Sequence, residues 1–545
     1  MMDEARPAAA FAPGSLKAFA ELLDRLVLTP SRNGKLRLIA GYFAETSDPD
    51  RGVALAILAG DLSLKAVKPN LFRALAEERI DPVLFRYSYD YVGDLAETIS
   101  LVWPEQAGDP AMLGLAECVA RLQALSRAEA PAAVAGLLDR LDPPGRWALI
   151  KLATGGLRIG ISARLTKQAL ALFGNKDIAD IEELWHGLKM PYGELFAWLE
   201  GGTRPENRIV AGFSPVMLSH PLDEAMLSDL DTGDYQAEWK WDGIRVQAVG
   251  QDGVARLYSR TGEDISAAFP DVAEAIDFDA AIDGELLVRD PQTGATGSFS
   301  DLQQRLNRKT VTNALLGKFP AFVRCYDLLR LAGEDLREYP LSQRRKLLDT
   351  FVASLDNDRF DLSPELAVSS AGELAAMRAN PPEPPIEGVM LKRRDAPYVA
   401  GRPKGQWWKW KRDPFNVDAV LMYAQRGHGK RSGIYSDFTF GVWQEDESGR
   451  ALVPVGKAYF GFTDAELAEL DRFVRNNTVE RFGPVRSVRA EPQHGLVLEI
   501  AFEGLNRSKR HRSGVAMRFP RISRIRWDKQ PADADTIEAL QVLLD

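Results

Sequence analysis

EWKWDGIR, residues 238–245, is the stretch on which the reading of this chain turns. Aromatic and charged residues alternate through it as along a half-buried strand, and Asp242-Gly243 closes the run with a turn. Lys240 stands between Trp239 and Trp241. An amine attacks phosphorus only without its proton, so a nucleophilic lysine needs desolvation or neighbouring cations, which the tryptophans and nearby basic side chains could supply. So short a segment also fits an exposed strand and turn with charges on its solvent face.

Working outward, IRVQAVG (244–250), VARLYSR (254–260), AIDGELLVR (281–289), AFVRCYDLL (321–329) and GVMLKRR (388–394) are short β-type runs bounded by turns. Residues 206–412 therefore read as an α+β domain built mainly on antiparallel strands. On the N-terminal side, residues 1–205 are rich in Ala and Leu, with apolar residues at helical spacing in LKAFAELLDRLVL (16–28), PAAVAGLLDRL (131–141) and RLTKQALALF (164–173). This region reads as all-helical, with breaks at Asp48-Pro49, Asp81-Pro82 and Pro143-Pro144 and a linker over 201–215. On the C-terminal side, residues 413–545 carry the strand-like runs VDAVLMYA (417–424), FTFGVWQ (438–444), VPVGKAYFG (453–461) and GLVLEIAF (495–502), and a helix beginning near Thr463. That content predicts a small five-stranded barrel of the oligonucleotide-binding kind.

A chain of 545 residues exceeds one ordinary core, which agrees with three domains. No apolar run is long enough to span a bilayer, and the N-terminus has no basic segment followed by an apolar one, so neither membrane insertion nor secretion is expected and a cytoplasmic, nucleoid-associated location is. Cys118 and Cys325 are the only cysteines. Two exclude a cysteine-based zinc site, and core thiols are expected rather than a disulfide. The net charge of -9 argues by itself against a nucleic-acid partner, but the charge is unevenly distributed. Residues 507–529 hold nine Lys/Arg against Asp528 alone, and residues 387–412 hold eight against Glu387 and Asp395. Both runs interleave these residues with aromatics and glycines, as strands lining a phosphate groove would.

Six further segments follow the first in order: SRTG (259–262), DGE (283–285), CYDLL (325–329), EGVMLK (387–392), WWKWK (407–411) and RFPRISRIRWDK (518–529). With EWKWDGIR they resemble the ordered motifs of the covalent nucleotidyltransferases, the superfamily of DNA ligases, RNA ligases and capping enzymes. The resemblance implies Lys240 as nucleophile, carrying AMP from ATP as a phosphoramidate. It further implies Glu238 reading adenine, Tyr326 stacking on it, Arg245 and Glu285 holding the ribose, and Arg260 touching phosphate or the nick. Glu387, with Glu285 as a second candidate, would hold a divalent ion; carboxylates suit Mg²⁺, with Mn²⁺ an alternative. Lys409 and Lys411 alternate along a strand, so both face one side, opposite Trp408 and Trp410, where they would offset charge on the α-phosphate. Arg526, Asp528 and Lys529 would orient pyrophosphate when the barrel closes over the nucleotide.

The helical region resembles the DNA-binding domain of eukaryotic, archaeal and some bacterial ATP-dependent DNA ligases through VGDLAET (92–98) and GGLRIGIS (155–162). Arg158 could there meet a phosphate, and Gly160 could let the backbone approach it. The expected substrate is nicked duplex DNA, and the expected state a monomer. The other readings are an RNA ligase or another nucleotidyltransferase, and a non-catalytic DNA-end adaptor; the presence of Lys240, Glu285, Glu387, Lys409 and Lys411 counts against the adaptor.

Overall fold

A computed structural model describes residues 14–544 except 63, 65, 93, 105–112, 156, 158, 207–209, 224–226, 228–230, 307, 309, 310, 427–432, 447, 448, 509 and 510. Two compact units divide the chain: Asp177–Leu188 with Arg204–Asp413 form one, and Met1–Lys176, Lys189–Thr203 and Pro414–Asp545 the other.

In the first of these units two sheets carry the chemistry. One has β1 (His220–Pro221), β2 (Tyr235–Trp241), β9 (Glu365–Leu366), β10 (Ile386–Arg393) and β11 (Trp407–Lys411) in the order β1-β11-β10-β2-β9, antiparallel except for β1 with β11. The other runs β4 (Val254–Ser259), β3 (Ile244–Gln251), β5 (Ala280–Val288), β6 (Ala321–Leu331), β7 (Glu334–Asp335), with β8 (Phe360–Leu362) parallel to β6. Alternation fixes the faces. Val389 and Leu391 of β10 join Trp408 and Trp410 of β11 in one apolar cluster, leaving Met390, Lys392, Lys409 and Lys411 on the opposite face. The turn from β2 to β3 requires Gly243, because a side chain there would press on the Leu286 carbonyl oxygen. Helix Ile178–Leu184, from the predicted helical region, belongs to this unit, where Arg204 pairs with Asp180 and Glu183.

The second unit contains the helices from Leu16–Leu28 to Ala163–Gly174. Side-chain oxygens of Ser15, Ser31, Asp94, Asp142 and Ser162 accept from backbone N–H groups at helix starts, which ends each preceding connection. The predicted breaks fall at helix beginnings: Pro49 precedes Asp50–Ala59, while Pro82 and Pro143 open Pro82–Val92 and Pro143–Thr154. Both cysteines are buried and free.

The strand-rich part of the same unit differs from the expected five strands. Among the described residues it has seven in one sheet: β12 (Phe415–Arg426), β13 (Tyr435–Asp446), β14 (Gly449–Ala458), β15 (Thr478–Phe482), β16 (Val485–Val488), β17 (Val497–Phe502) and β20 (Arg521–Arg526). A hairpin of β18 (Gly504–Arg507) and β19 (Val515–Arg518) adds two more. The reason lies in β12, which is twelve residues long and bulged, so that its first half pairs with β17 and its second half with β16. The helix expected near Thr463 is Asp464–Asn476, closed by a capping box between Thr463 and Glu466.

Candidate active site

The strand alternation that buries one face of β10 and β11 turns the other toward a cavity of about 350 Å³. Lys240, Arg245, Arg260, Lys392, Arg402, Lys409 and Lys411 line it, against the carboxylates of Glu238, Glu285 and Glu387. Such a surplus of cations suits a polyphosphate.

Lys240 lies one residue before the end of β2, opposite Gly388 of β10, and Gly388 is in turn opposite Lys411 of β11. Three neighbouring strands therefore bring both lysines to one place. Only glycine fits between them: Gly388 has φ 149°, and a Cβ there would fall 2.2 Å from the Trp410 carbonyl oxygen. Glu387, next in chain, would face away in a regular strand. The register shifts between Ile386 and Gly388, and this irregularity re-aims the carboxylate. Its Oε1 accepts from Lys240 Nζ at 2.5 Å and its Oε2 lies 2.9 Å from Lys411 Nζ. Burial resists ionisation of Glu387, but the two lysines outweigh it and hold the group below the ordinary carboxylate range. Lys409 moves down from its ordinary value through burial and the nearby charges of Lys240, Lys411 and Arg402.

At the far side of the cavity Tyr326 projects from β6, where the pairing with β5 shifts register between Asp283 and Gly284. Glu238 of β2 is buried; its Oε2 accepts from Lys392 Nζ at 2.9 Å and its Oε1 from Gln236 Nε2 at 2.7 Å. Lys392 Nζ sits 4.0 Å from the Tyr326 ring centre and 4.8 Å from that of Trp407. Met390, between Glu387 and Lys392 on the same face, also lines the cavity. Glu285 lies opposite Arg245 across β5 and β3. Burial pushes its carboxyl up to about 8, with Lys240 and Arg245 working in the opposite direction.

Of the residues singled out in the sequence, Lys240, Glu238, Arg245, Arg260, Glu285, Tyr326, Glu387, Lys409 and Lys411 all line this one cavity. Arg526, Asp528 and Lys529 belong to the other compact unit. There Arg526 reaches Asp418 at 3.1 Å and Asp528 at 2.8 Å, and Lys529 reaches Asp418 at 2.7 Å. Gly160 is in the helical region, its carbonyl oxygen accepting from Lys35 Nζ at 3.1 Å. Arg158 lies outside the described residues. Met390, Lys392, Trp407 and Arg402 line the cavity without having been assigned a role. For Trp407 the signal was present, since 407 shares parity with 409 and 411 on β11; for Met390 and Lys392 it was not, because parity counted from Glu387 points to 389 and 391.

Glu285 and Glu387 offer hard oxygen donors, and among the described residues no group of three His, Cys, Asp or Glu is arranged to enclose a metal. That donor set fits an ion that takes most of its ligands from phosphate and water.

A lysine held by a carboxylate in a cation-rich cavity between two mainly antiparallel sheets is the arrangement that the resemblance to the covalent nucleotidyltransferases leads one to expect. Comparison with known proteins narrows the class. Family models described as DNA ligase N terminus, ATP dependent DNA ligase domain and ATP dependent DNA ligase C terminal region match residues 15–171, 216–411 and 431–529. A "Probable DNA ligase" of Koribacter versatilis (strain Ellin345) is 31% identical over 96% of this chain and 95% of its own length. "DNA ligase 1" of Korarchaeum cryptofilum (strain OPF8) is 27% identical over 97% of this chain and 98% of its own. The solved structure designated Pmar-Lig_PreS3 shares the fold, with a TM-score of 0.58 and 17% identity over 93% of this chain and 99% of that one. The chain belongs to the ATP-dependent DNA ligase family. It is therefore an enzyme that uses ATP to seal breaks in DNA.

Proposed function

We propose that Lys240 is the nucleophile of a three-step nick-sealing reaction. Its nitrogen attacks the α-phosphorus of ATP and pyrophosphate leaves; AMP then passes to the 5′-phosphate of a nicked duplex, and the 3′-hydroxyl displaces AMP as the strand closes. The observation that carries this reading is the position of Lys240 Nζ, 2.5 Å from Glu387 inside the cavity.

The remaining residues take roles that their surroundings support. Glu238, fixed by Lys392 and Gln236, accepts from the adenine amine, while Tyr326 offers a flat face to the base. Arg245 and Glu285 face the ribose. Lys409 and Lys411 offset charge on the α-phosphate, and Arg260 meets a phosphate of ATP or of the nick. Glu387, with Glu285, would hold Mg²⁺, or Mn²⁺ in its place, and the ion would supply charge neutralisation at the phosphates. Arg526, Asp528 and Lys529 orient the leaving pyrophosphate when the barrel is closed over the nucleotide.

Residues 1–205 serve as the DNA-binding domain, 206–412 as the adenylation domain and 413–545 as the barrel. The Gly160 loop, with Lys35 donating to the Ile159 carbonyl oxygen at 2.7 Å and to that of Gly160, supports a phosphate contact there. The enzyme acts as a monomer on nicked duplex DNA in the cytoplasm, in association with the nucleoid. No helix among the described residues is long and apolar enough to cross a membrane.

The test uses α-labelled ATP. Label bound to the wild-type chain survives denaturation and is released as AMP when nicked duplex is added. Lys240→Ala carries no label and seals no ordinary nick, yet still closes a nick already bearing AMP. Label retained by Lys240→Ala rejects the assignment.

A further inference from the structure

Behind the cavity wall, not lining it, Tyr398 and Asp283 close a hydrogen-bonded ring on Arg245. Arg245 Nε and Nη2 donate to the two carboxylate oxygens of Asp283, at 3.0 Å and 2.5 Å. Nη2 also donates to the Tyr398 hydroxyl at 3.0 Å, and that hydroxyl donates to Asp283 Oδ2 at 2.6 Å. Nη1 donates to the Met217 carbonyl oxygen at 2.6 Å. The Tyr326 hydroxyl reaches Asp283 Oδ1 at 3.3 Å, so the same carboxylate touches two residues of the cavity wall.

We infer that Tyr398 is a positioning residue for ATP binding, acting through Asp283 and Arg245 on the nucleotide. This rests on the reading that Arg245 faces the nucleotide. Arg245 has several rotatable bonds and would cost entropy to order in each binding event unless already held. Asp283 alone could hold it in a plane, but the carboxylate can itself rock. The Tyr398 hydroxyl bridges donor and acceptor and removes that freedom.

The tyrosine is itself fixed. It is buried, its ring meets Trp407 edge to face at 5.8 Å, and its backbone N–H donates to the Arg337 carbonyl oxygen at 2.7 Å. Burial and then the charge of Asp283 push the phenol well above its ordinary range, so it stays a donor at any working pH. A phenylalanine here keeps the packing and loses only the bridge.

The experiment measures lysyl-AMP formation in single turnovers of the full chain as a function of ATP, for wild type, Tyr398→Phe, Arg245→Ala and the double variant. Thermal melting of each is recorded alongside. Tyr398→Phe should raise the ATP concentration giving half-maximal rate about tenfold, since the lost bond involves a charged partner. The limiting rate should change much less, and the melting temperature should stay close to wild type. On the Arg245→Ala background the same substitution should change nothing further. An unchanged ATP dependence in Tyr398→Phe, or an equal loss on both backgrounds, overturns the inference. A melting temperature that falls together with the limiting rate also overturns it, because it marks a structural role alone. If Arg245→Ala itself leaves the ATP dependence intact, the reading of Arg245 fails instead.

Discussion

In the cavity around Lys240, the charges of Lys240, Lys392, Lys411 and Arg245 each meet a carboxylate within their own domain, on strands whose register fixes them. On the barrel, Arg526 and Lys529 share the single carboxylate of Asp418 on β12, and Arg526 adds Asp528 two residues along its own segment. Exposure does not separate the two sets, since Lys240 and Glu387 are 21% and 25% exposed and Arg526 and Asp418 21% and 13%; what differs is that the cavity groups stand on neighbouring strands in register, whereas Lys529 follows the end of β20. The first arrangement suits groups needed in every step, since each keeps its place as ATP, AMP and DNA phosphate succeed one another. The second suits groups that act once: Arg526 has Glu499 at 3.8 Å and Asp528 as further partners, so Arg526 and Lys529 can turn in part from Asp418 to a phosphate.

This contrast is broken most directly by Glu387→Ala. The substitution leaves Lys240 and Lys411 without their shared partner and removes a candidate metal ligand. Both lysyl-AMP formation and closure of a pre-adenylated nick should fall, each by on the order of 10³-fold. Single-turnover measurement of the two steps checks it, and a loss confined to one step would place Glu387 outside the shared machinery. A smaller and one-sided effect is expected from Arg526→Ala with Lys529→Ala. Pyrophosphate leaves only in the first step, so lysyl-AMP formation should slow roughly 10²-fold while pre-adenylated nicks close at nearly the wild-type rate. Equal slowing of both steps would show that the barrel cations serve DNA as well.

Sequence legibility follows the same division between regular and irregular backbone. The period of two was enough to place Lys409 and Lys411 together on one face of β11, and the helix expected to begin near Thr463 is Asp464–Asn476. The direction of Glu387 was not readable. Parity sends it away from Lys240, and only the shift in register beside Gly388 brings it back. Nor could Tyr398 be linked to Asp283, because their contact joins residues 115 apart with no shared motif. The strands β15, β16 and β18 escaped because they are short and mix charged or polar residues with few apolar ones, leaving no apolar alternation to detect.

A further effect is thermodynamic and concerns Glu285, the cavity carboxylate in which burial outweighs the pull of Lys240 and Arg245. Burial holds its folded pKa at about 8 against an ordinary value of 4.5. Over that window the folded chain keeps a proton that the unfolded chain releases, so this group's contribution to stability declines as pH rises from about 4.5 to about 8. Glu285→Gln is neutral throughout and removes the dependence. With ATP absent and divalent ions chelated, wild type should lose ground to Glu285→Gln between about pH 4.5 and about pH 8, by about 2–4 °C in Tm for each kcal/mol involved. The same ionisation creates the oxygen ligand proposed for the metal, so wild-type adenylation should rise across the window in which the apo fold weakens. Melting curves of the two chains that stay parallel with pH would mean that Glu285 is already ionised in the resting cavity. The lysines would then hold both carboxylates alike, and the distinction between a Glu387 held ionised and a Glu285 held protonated would be lost.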